Sequence, residues 1–259
     1  MSTDLAPVGR AAPVSSVIRS QAGLEWRLLM SNGEQILLTL IIPVVLLVAL
    51  SMTDFVSLGV SGRGPKLDLL VPSIMALAVM SSAFTALAIS TGFDRRGEAI
   101  KFLGTTPLSR TGLLTAKIVA VLGVQVIQLG VIAVLGILLG WIPNHAALWS
   151  LPVIILGTAA FAAWGFAMAG VLRAEATLAL ANAVYLLLLL GGGVIVPASR
   201  FPEPFATIVS FLPSAALADG LRAAMDSGDL GVVITSMAIL AGWAVVGGLV
   251  VHRTFRWTS

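Results

Sequence analysis

The chain has no cysteine among its 259 residues, so disulfides, thiolate metal sites and cysteine nucleophiles are excluded together. Charge is nearly as scarce: Asp, Glu, Lys and Arg make up 10% of the residues, against about 25% in a soluble globular domain. Histidine occurs twice, at His145 and His252, at the ends of different apolar runs on opposite predicted sides, so the two cannot share a metal ion. HExxH and GxxxxGK[ST] are absent, which removes zinc-protease and P-loop nucleotide chemistry. No Asp, Glu, Lys or Arg falls deep within an apolar run, as a proton or ion relay would require. A membrane-embedded enzyme would have no acid, base or nucleophile to work with.

Apolar residues fill the space that these absences leave. The chain is 58% hydrophobic, with a mean hydropathy of +1.03, so lipid is the solvent for most of it. A spanning helix needs about 20 mainly apolar residues. Six stretches qualify, at about 36–53, 69–91, 113–141, 147–172, 176–196 and 230–251. The prediction is an all-α, polytopic membrane protein forming one domain over 1–259. An even number of spans puts both termini on one side. Eleven Lys and Arg (10, 19, 27, 95, 96, 101, 110, 117, 173, 253 and 256) fall on the side of the termini, and four (63, 66, 200 and 222) on the other. Basic loops stay cytoplasmic, so both termini are expected in the cytoplasm, across the plasma membrane. The net charge of +3 is small and is accounted for by this asymmetry, so no nucleic acid partner is expected. No apolar stretch precedes the first span, so no signal peptide is expected. Pro72 and Pro152 are expected in the first turns of helices entering from outside, where a missing N–H costs little. Pro43 lies inside the first span and should bend it.

Three segments are neither span nor plain loop. Residues 15–34 place Ile18, Leu24, Leu28 and Trp26 among Arg and Glu, as in a helix lying in the membrane interface with Trp26 at headgroup depth. Asn32-Gly33 is a helix stop before the first span. Residues 197–228 carry Phe201, Phe205, Ile208 and Leu212 at helical spacing, then Pro213-Ser214. Each piece is too short to cross and too apolar for a wet loop, so a pair of helices dipping into the outer leaflet is expected. The third, "FDRRGEAIKFLGTTPLSR" from Phe93 to Arg110, concentrates Asp94, Arg95, Arg96, Glu98, Lys101 and Arg110. Phe93, Ile100 and Leu103 make it amphipathic, and Thr106-Pro107 ends it. A short surface helix is expected from Asp94 to about Gly104, with Asp94 as its N-cap.

Few polar groups lie mid-span. Gln125 and Gln128 share a face of the third span, and Asn182 and Tyr185 a face of the fifth. Hydrogen bonding between helices is the commoner use of such groups, with substrate contact the alternative. Ser81, Ser82 and Thr85 are expected to bond back to their own backbone, and Lys117 to snorkel to the cytoplasm. Gly136 and Gly140 form a GxxxG suited to close helix packing. Gly191-Gly192-Gly193 marks a loosened helix end.

Read in order, "GLEWRLLMSNGEQILLTLIIPVV" (23–45), "FDRRGEAIKFLGTTPLSRTGLLTAK" and "FPEPFATIVSFLPSAALADGLR" resemble the membrane subunit of type-2 ABC exporters of drugs, polysaccharides or lipids, the actinobacterial antibiotic-resistance branch above all. The resemblance runs from about residue 20 to 251. Its most specific part is an acid–Arg–Arg…Lys-x-Leu-x-Thr-Thr-Pro-Leu string, matched by Asp94, Arg95, Arg96, Lys101, Leu103, Thr105, Thr106, Pro107 and Leu108. Where the family often has glycine this chain has Glu98, with Gly97 one place early.

The resemblance implies an interfacial helix at 15–34, a cytoplasmic coupling helix at 93–110 and external re-entrant helices at 197–228. It implies that Phe93, Asp94, Arg95, Arg96, Glu98, Ile100, Lys101, Leu103, Thr106, Pro107 and Arg110 meet a separate ATP-binding cassette ATPase subunit. It also implies a second permease protomer, in a homodimer or heterodimer, around a path lined by second and fifth spans, which makes Asn182 and Tyr185 path candidates. This chain would bind no cofactor, since ATP and Mg belong to the ATPase, and would be no enzyme. A secondary transporter or channel is the alternative, but it calls for buried ionisable groups or broken inverted repeats. A purely structural anchor remains open too, because path-lining residues can look like packing. An apolar path suits a lipophilic or amphiphilic cargo, although lipid contact demands the same character.

Overall fold

Capping and turn residues divide the chain into helices, and the computed structural model describes residues 13–31, 33–53, 63–97 and 108–254. In order these are α1 (Val14–Ser31), α2 (Gly33–Met52), α3 (Arg63–Met80), a π-helical turn (Ser81–Ala86), α4 (Leu87–Arg96), α5 (Arg110–Leu139), α6 (Ser150–Val171), α7 (Ala174–Gly191), α8 (Phe205–Ser210), α9 (Pro213–Arg222), a second π-helical turn (Ala223–Ser227) and α10 (Leu230–Thr254). No strand occurs among the described residues.

Local chemistry sets these boundaries. Ser109, extended at φ −73°, opens α5 by accepting a hydrogen bond from the Gly112 amide at 3.0 Å, which satisfies one orphan donor of the first turn. Gly140 closes the helix at φ +104° while the Trp141 amide donates back to Gly136 at 2.9 Å, the left-handed stop that glycine permits. The GxxxG therefore splits in role. Gly136 is a packing residue, where an added Cβ would lie 3.0 Å from Val71 of α3, and Gly140 is a helix cap. Pro152 sits in the first turn of α6 as expected. Pro72 does not: α3 begins at Arg63, so this proline lies inside the helix.

Among the described residues five helical stretches are long and apolar enough to cross a membrane: Lys66–Arg96, Arg110–Leu139, His145–Val171, Ala174–Gly191 and Leu230–Thr254. The first of the six expected spans corresponds to α2, whose described apolar part is the shorter Thr39–Met52. At about 1.5 Å per residue, the 31 residues of Lys66–Arg96 reach about 46 Å. That exceeds the roughly 30 Å hydrocarbon core, so at least one end stands clear of it.

The core is organised around α3, the π-turn and α4. Leu67, Leu70, Val71, Ile74, Leu77, Met80 and Phe84, pointing in all directions around the helix, are buried, enclosed by α2, α5, α6, α7 and α9. By contrast α7 and α10 bury one narrow face each and leave leucine- and valine-rich faces open.

The expected amphipathic helix at 15–34 is present as α1, and it packs along α5. Ile18 lies near Gly112, and the Trp26 ring lies so close to Gly123 that a Cβ there would meet it at 2.3 Å. Trp26 thus works as a helix-packing residue. The expected pair of short helices at 197–228 is present as α8 and α9, and α9 is buried along nearly its whole length between α3, α6 and α10.

The two ends of the bundle are internally consistent. Asn144 follows α5 and bonds through its amide to Met225 and through Nδ2 to Asp226, both at 2.8 Å, so the α5–α6 and α9–α10 connections share one end. The last turn of α4, the first turns of α5 and the α6–α7 connection share the other, which is the basic end.

Candidate functional site

At the basic end three helices converge on one ammonium group. Lys117 Nζ of α5 lies 2.8 Å from Glu25 Oε2 of α1 and 2.8 Å from Asp94 Oδ2 of α4. The lysine side chain is 4% exposed and that of Asp94 39%. Gln21 donates to the other Glu25 oxygen at 2.9 Å. An isolated ammonium buried here would cost several kcal/mol, and paired carboxylates offset that cost. Lys117 therefore does not snorkel; it is held inward. Two carboxylates against one ammonium leave the cluster with a formal charge of −1.

The neighbouring arginines are also engaged within the chain. Arg95 donates through Nη1 to the carbonyls of Ala169 and Leu172, where α6 ends and its last carbonyls lack helical partners. Arg96 pairs with Glu175 in the first turn of α7. Asp94 is not the N-cap of a new helix: it lies in the last turn of α4, which runs on from the second span to Arg96. Phe93 is exposed on that turn, and Arg110 is the exposed first residue of α5. Glu98, Ile100, Lys101, Leu103, Thr106 and Pro107 lie outside the described residues. The last turn of α4 is thus fixed to α1, α5, α6 and α7 immediately before the Glu98–Pro107 segment.

Midway along the bundle a second polar group assembles. Gln125 Nε2 donates to Ser82 Oγ at 3.0 Å, and Thr158 Oγ1 donates to Gln125 Oε1 at 2.8 Å. Ser82 also bonds back to Ala78 at 2.9 Å, as expected. Thr85 Oγ1 is buried with no such bond. Gln128 Nε2 donates to the Thr39 carbonyl of α2 at 2.8 Å. Both glutamines thus bond between helices. Tyr185 lies beside Ser81, where α7 packs on the π-turn. Asn182 is exposed and donates to its own helix at Leu178, 2.9 Å away.

At the far end Arg222 of α9, 9% exposed, was counted from the sequence as an external charge. It is instead the hub of a clamp. Its guanidinium donates to Ser73 Oγ of α3 at 3.1 and 2.9 Å, to Asp219 Oδ1 at 2.7 Å, and to the carbonyls of Gly193 and Val194. The glycine run makes this approach possible. Gly193 has φ +77° and packs on Ala215, and a Cβ at Gly192 would meet Ser214 Oγ at 2.5 Å. The signal available in the sequence was Asp219-x-x-Arg222, an i, i+3 pair in an otherwise apolar segment. Among the described residues no group of three His, Asp or Glu is placed to hold a metal ion.

The family model described as "ABC-2 family transporter protein" matches residues 61–251. A protein named "Putative transport permease YvfS" from Bacillus subtilis (strain 168) is 25% identical over 201 residues, covering 77% of this chain and 81% of that protein.

Proposed function

The chain belongs to the ABC-2 transporter family, and from that premise we propose that it is the permease subunit of an ATP-driven exporter of the plasma membrane. It pairs with a second permease, identical or related, and with two ATP-binding cassette subunits made separately. ATP and Mg reside on those subunits, and this chain catalyses nothing itself. The proposed orientation puts the basic end and both termini in the cytoplasm, with α2 as the first of six spans.

The observation that carries the coupling role is the anchorage at the end of α4. Force delivered to Glu98–Pro107 by a moving ATPase enters a turn tied to α1 through Lys117, to α6 through Arg95 and to α7 through Arg96. A loose loop would dissipate that motion. The path falls to the open face of α7, because α3 and α4 are covered by this chain's own helices. Asn182 stands on the open side, and Tyr185 relays to the π-turn. A lipophilic or amphiphilic cargo suits that face.

Copurification with an ATP-binding cassette ATPase tests the assignment. Leu103→Asp should leave insertion and dimerisation intact while removing ATPase binding or substrate-stimulated hydrolysis. Normal ATPase binding and transport by that variant would overturn the coupling role. Transport by the chain alone, without any ATPase, would favour a secondary carrier instead.

A further inference from the structure

A cleft of about 440 Å³ opens at the basic end between α5, α6 and α10, away from the α7 face assigned to the path. That volume lies within the roughly 300–1,000 Å³ range of small-molecule sites. Its lining is divided along the bundle axis. Arg110, Thr111 and Thr115 from the first turns of α5, and His252 from the end of α10, supply its polar groups. Further in, the wall is apolar, with Leu114, Ile118 and Phe166. The groove exists because the helices facing it carry small residues. Gly247 packs against Ala163, where a Cβ would come within 2.8 Å, and the adjacent Gly248 has nothing within 4 Å of its missing Cβ. A cationic mouth at one end of a greasy slot, on a helix face that meets lipid, matches one kind of molecule.

We propose that this cleft binds an anionic phospholipid of the cytoplasmic leaflet, its phosphate at Arg110 and His252 and one acyl chain along Ile118 and Phe166. Charge complementarity selects the headgroup: an arginine near a phospholipid surface is worth about 1 kcal/mol, or about fivefold in affinity, and the His252 imidazole offers a hydrogen bond beside it. The lipid fills a gap between α5 and α10 that the chain leaves open, and so braces these helices over α6. The leaflet rests on the cytoplasmic orientation proposed above.

The test uses the full chain purified in detergent doped with equal phosphatidylglycerol and phosphatidylcholine, with retained lipid read by native mass spectrometry. The wild type should keep phosphatidylglycerol selectively. Arg110→Gln should lower its retention about fivefold, His252→Gln should lower it less, and the pair should abolish the preference. Gly248→Leu should displace lipid of both kinds while keeping the wild-type melting temperature in lipid-free detergent, since its side chain enters open space. Full phosphatidylglycerol retention by Gly248→Leu overturns the proposal, as does an unchanged preference in the double variant. Displacement of the lipid by millimolar inorganic phosphate would mean a free-anion site and overturn it too. So would efficient disulfide formation between copies of a Gly248→Cys variant, which would identify a second copy as the occupant. Labelling of Thr111→Cys from outside by an impermeant maleimide would overturn the orientation and the leaflet together, whereas normal orientation with unselective retention overturns this inference alone.

Discussion

The two ends of the bundle are each held by one buried cation, and the two are built differently. Arg222, its side chain 10% exposed, faces the partly exposed Asp219 carboxylate, a hydroxyl and two main-chain carbonyls. Its planar fork suits several fixed acceptors at once. Lys117 faces two carboxylates from two other helices, one of them 39% exposed. An ammonium is a point charge that accepts either partner at similar cost. The first arrangement has one satisfied geometry. The second tolerates exchange, because the ammonium keeps one carboxylate when it releases the other. An immobile clamp at the far end and a yielding joint at the basic end suit a permease driven from the basic end.

The largest expected effect comes from breaking the clamp. Arg222→Leu leaves the half-buried Asp219 carboxylate without its counter-charge, and takes the guanidinium donors from the Ser73 hydroxyl and from the Gly193 and Val194 carbonyls. Removing one partner of a buried pair typically costs about 3–5 kcal/mol. The variant should therefore melt well below the wild type in detergent or fail to accumulate, and Arg222→Lys should rescue it only in part. Wild-type melting of Arg222→Leu would remove the rigid half of the comparison.

Lys117→Met should cost less, about 2 kcal/mol, because it takes a donor from no main-chain carbonyl and Glu25 keeps its hydrogen bond from Gln21. Melting in detergent reads the loss. Combining Lys117→Met with Glu25→Gln and Asp94→Asn should recover most of the stability, since the charges then disappear together. Substrate-stimulated ATPase activity should remain impaired in the triple variant, because the tie between α4 and α1 is gone. Recovery of both properties would make the cluster a packing feature and the two ends equivalent in kind.

Gln125→Leu should cost less again, since it removes neutral hydrogen bonds to Ser82 and from Thr158. A loss of about 1–2 kcal/mol is expected, read as a lower melting temperature with unchanged coupling. Altered coupling at constant stability would mean that the mid-bundle polar group moves during transport.

Much of this was legible because lipid constrains the sequence so tightly. Apolar runs and helix punctuation such as Asn32-Gly33 and Pro213-Ser214 marked many of the helices, and the interhelical bonding of Gln125 and Gln128 followed from the cost of polar groups in lipid. What stayed hidden was long-range pairing. Lys117 has its partners 92 and 23 residues away, and Arg222 finds Ser73 at a separation of 149. Charges near span ends read as solvated until the fold brings their counter-charges together. Asp94 was misplaced for a related reason: a helix of lipid-spanning length was expected to stop at the membrane surface, yet neighbours on α1 and α5 carry it to Arg96. The structure likewise ties Arg95 to carbonyls that no side-chain pattern reveals.

The smallest expected effect separates two uses of Arg96. Its partner Glu175 lies within the chain, and the two side chains are 63% and 61% exposed. An exposed pair contributes under about 1 kcal/mol, so Arg96→Glu should barely change melting. Its effect on coupling is the informative quantity. If Arg96 acts by tying α4 to α7, the reversed pair Arg96→Glu with Glu175→Arg recreates the tie and should restore substrate-stimulated ATPase activity. If Arg96 instead meets an acidic group on the ATPase, the reversed pair restores nothing, and the single variant should weaken copurification more strongly at low salt than at high salt. Each result assigns the residue. Restoration makes the basic end a closed joint, with the Glu98–Pro107 segment as its only contact to the motor. Failure to restore extends the motor's contact onto α4 itself, and the yielding joint then lies inside the docking surface rather than behind it.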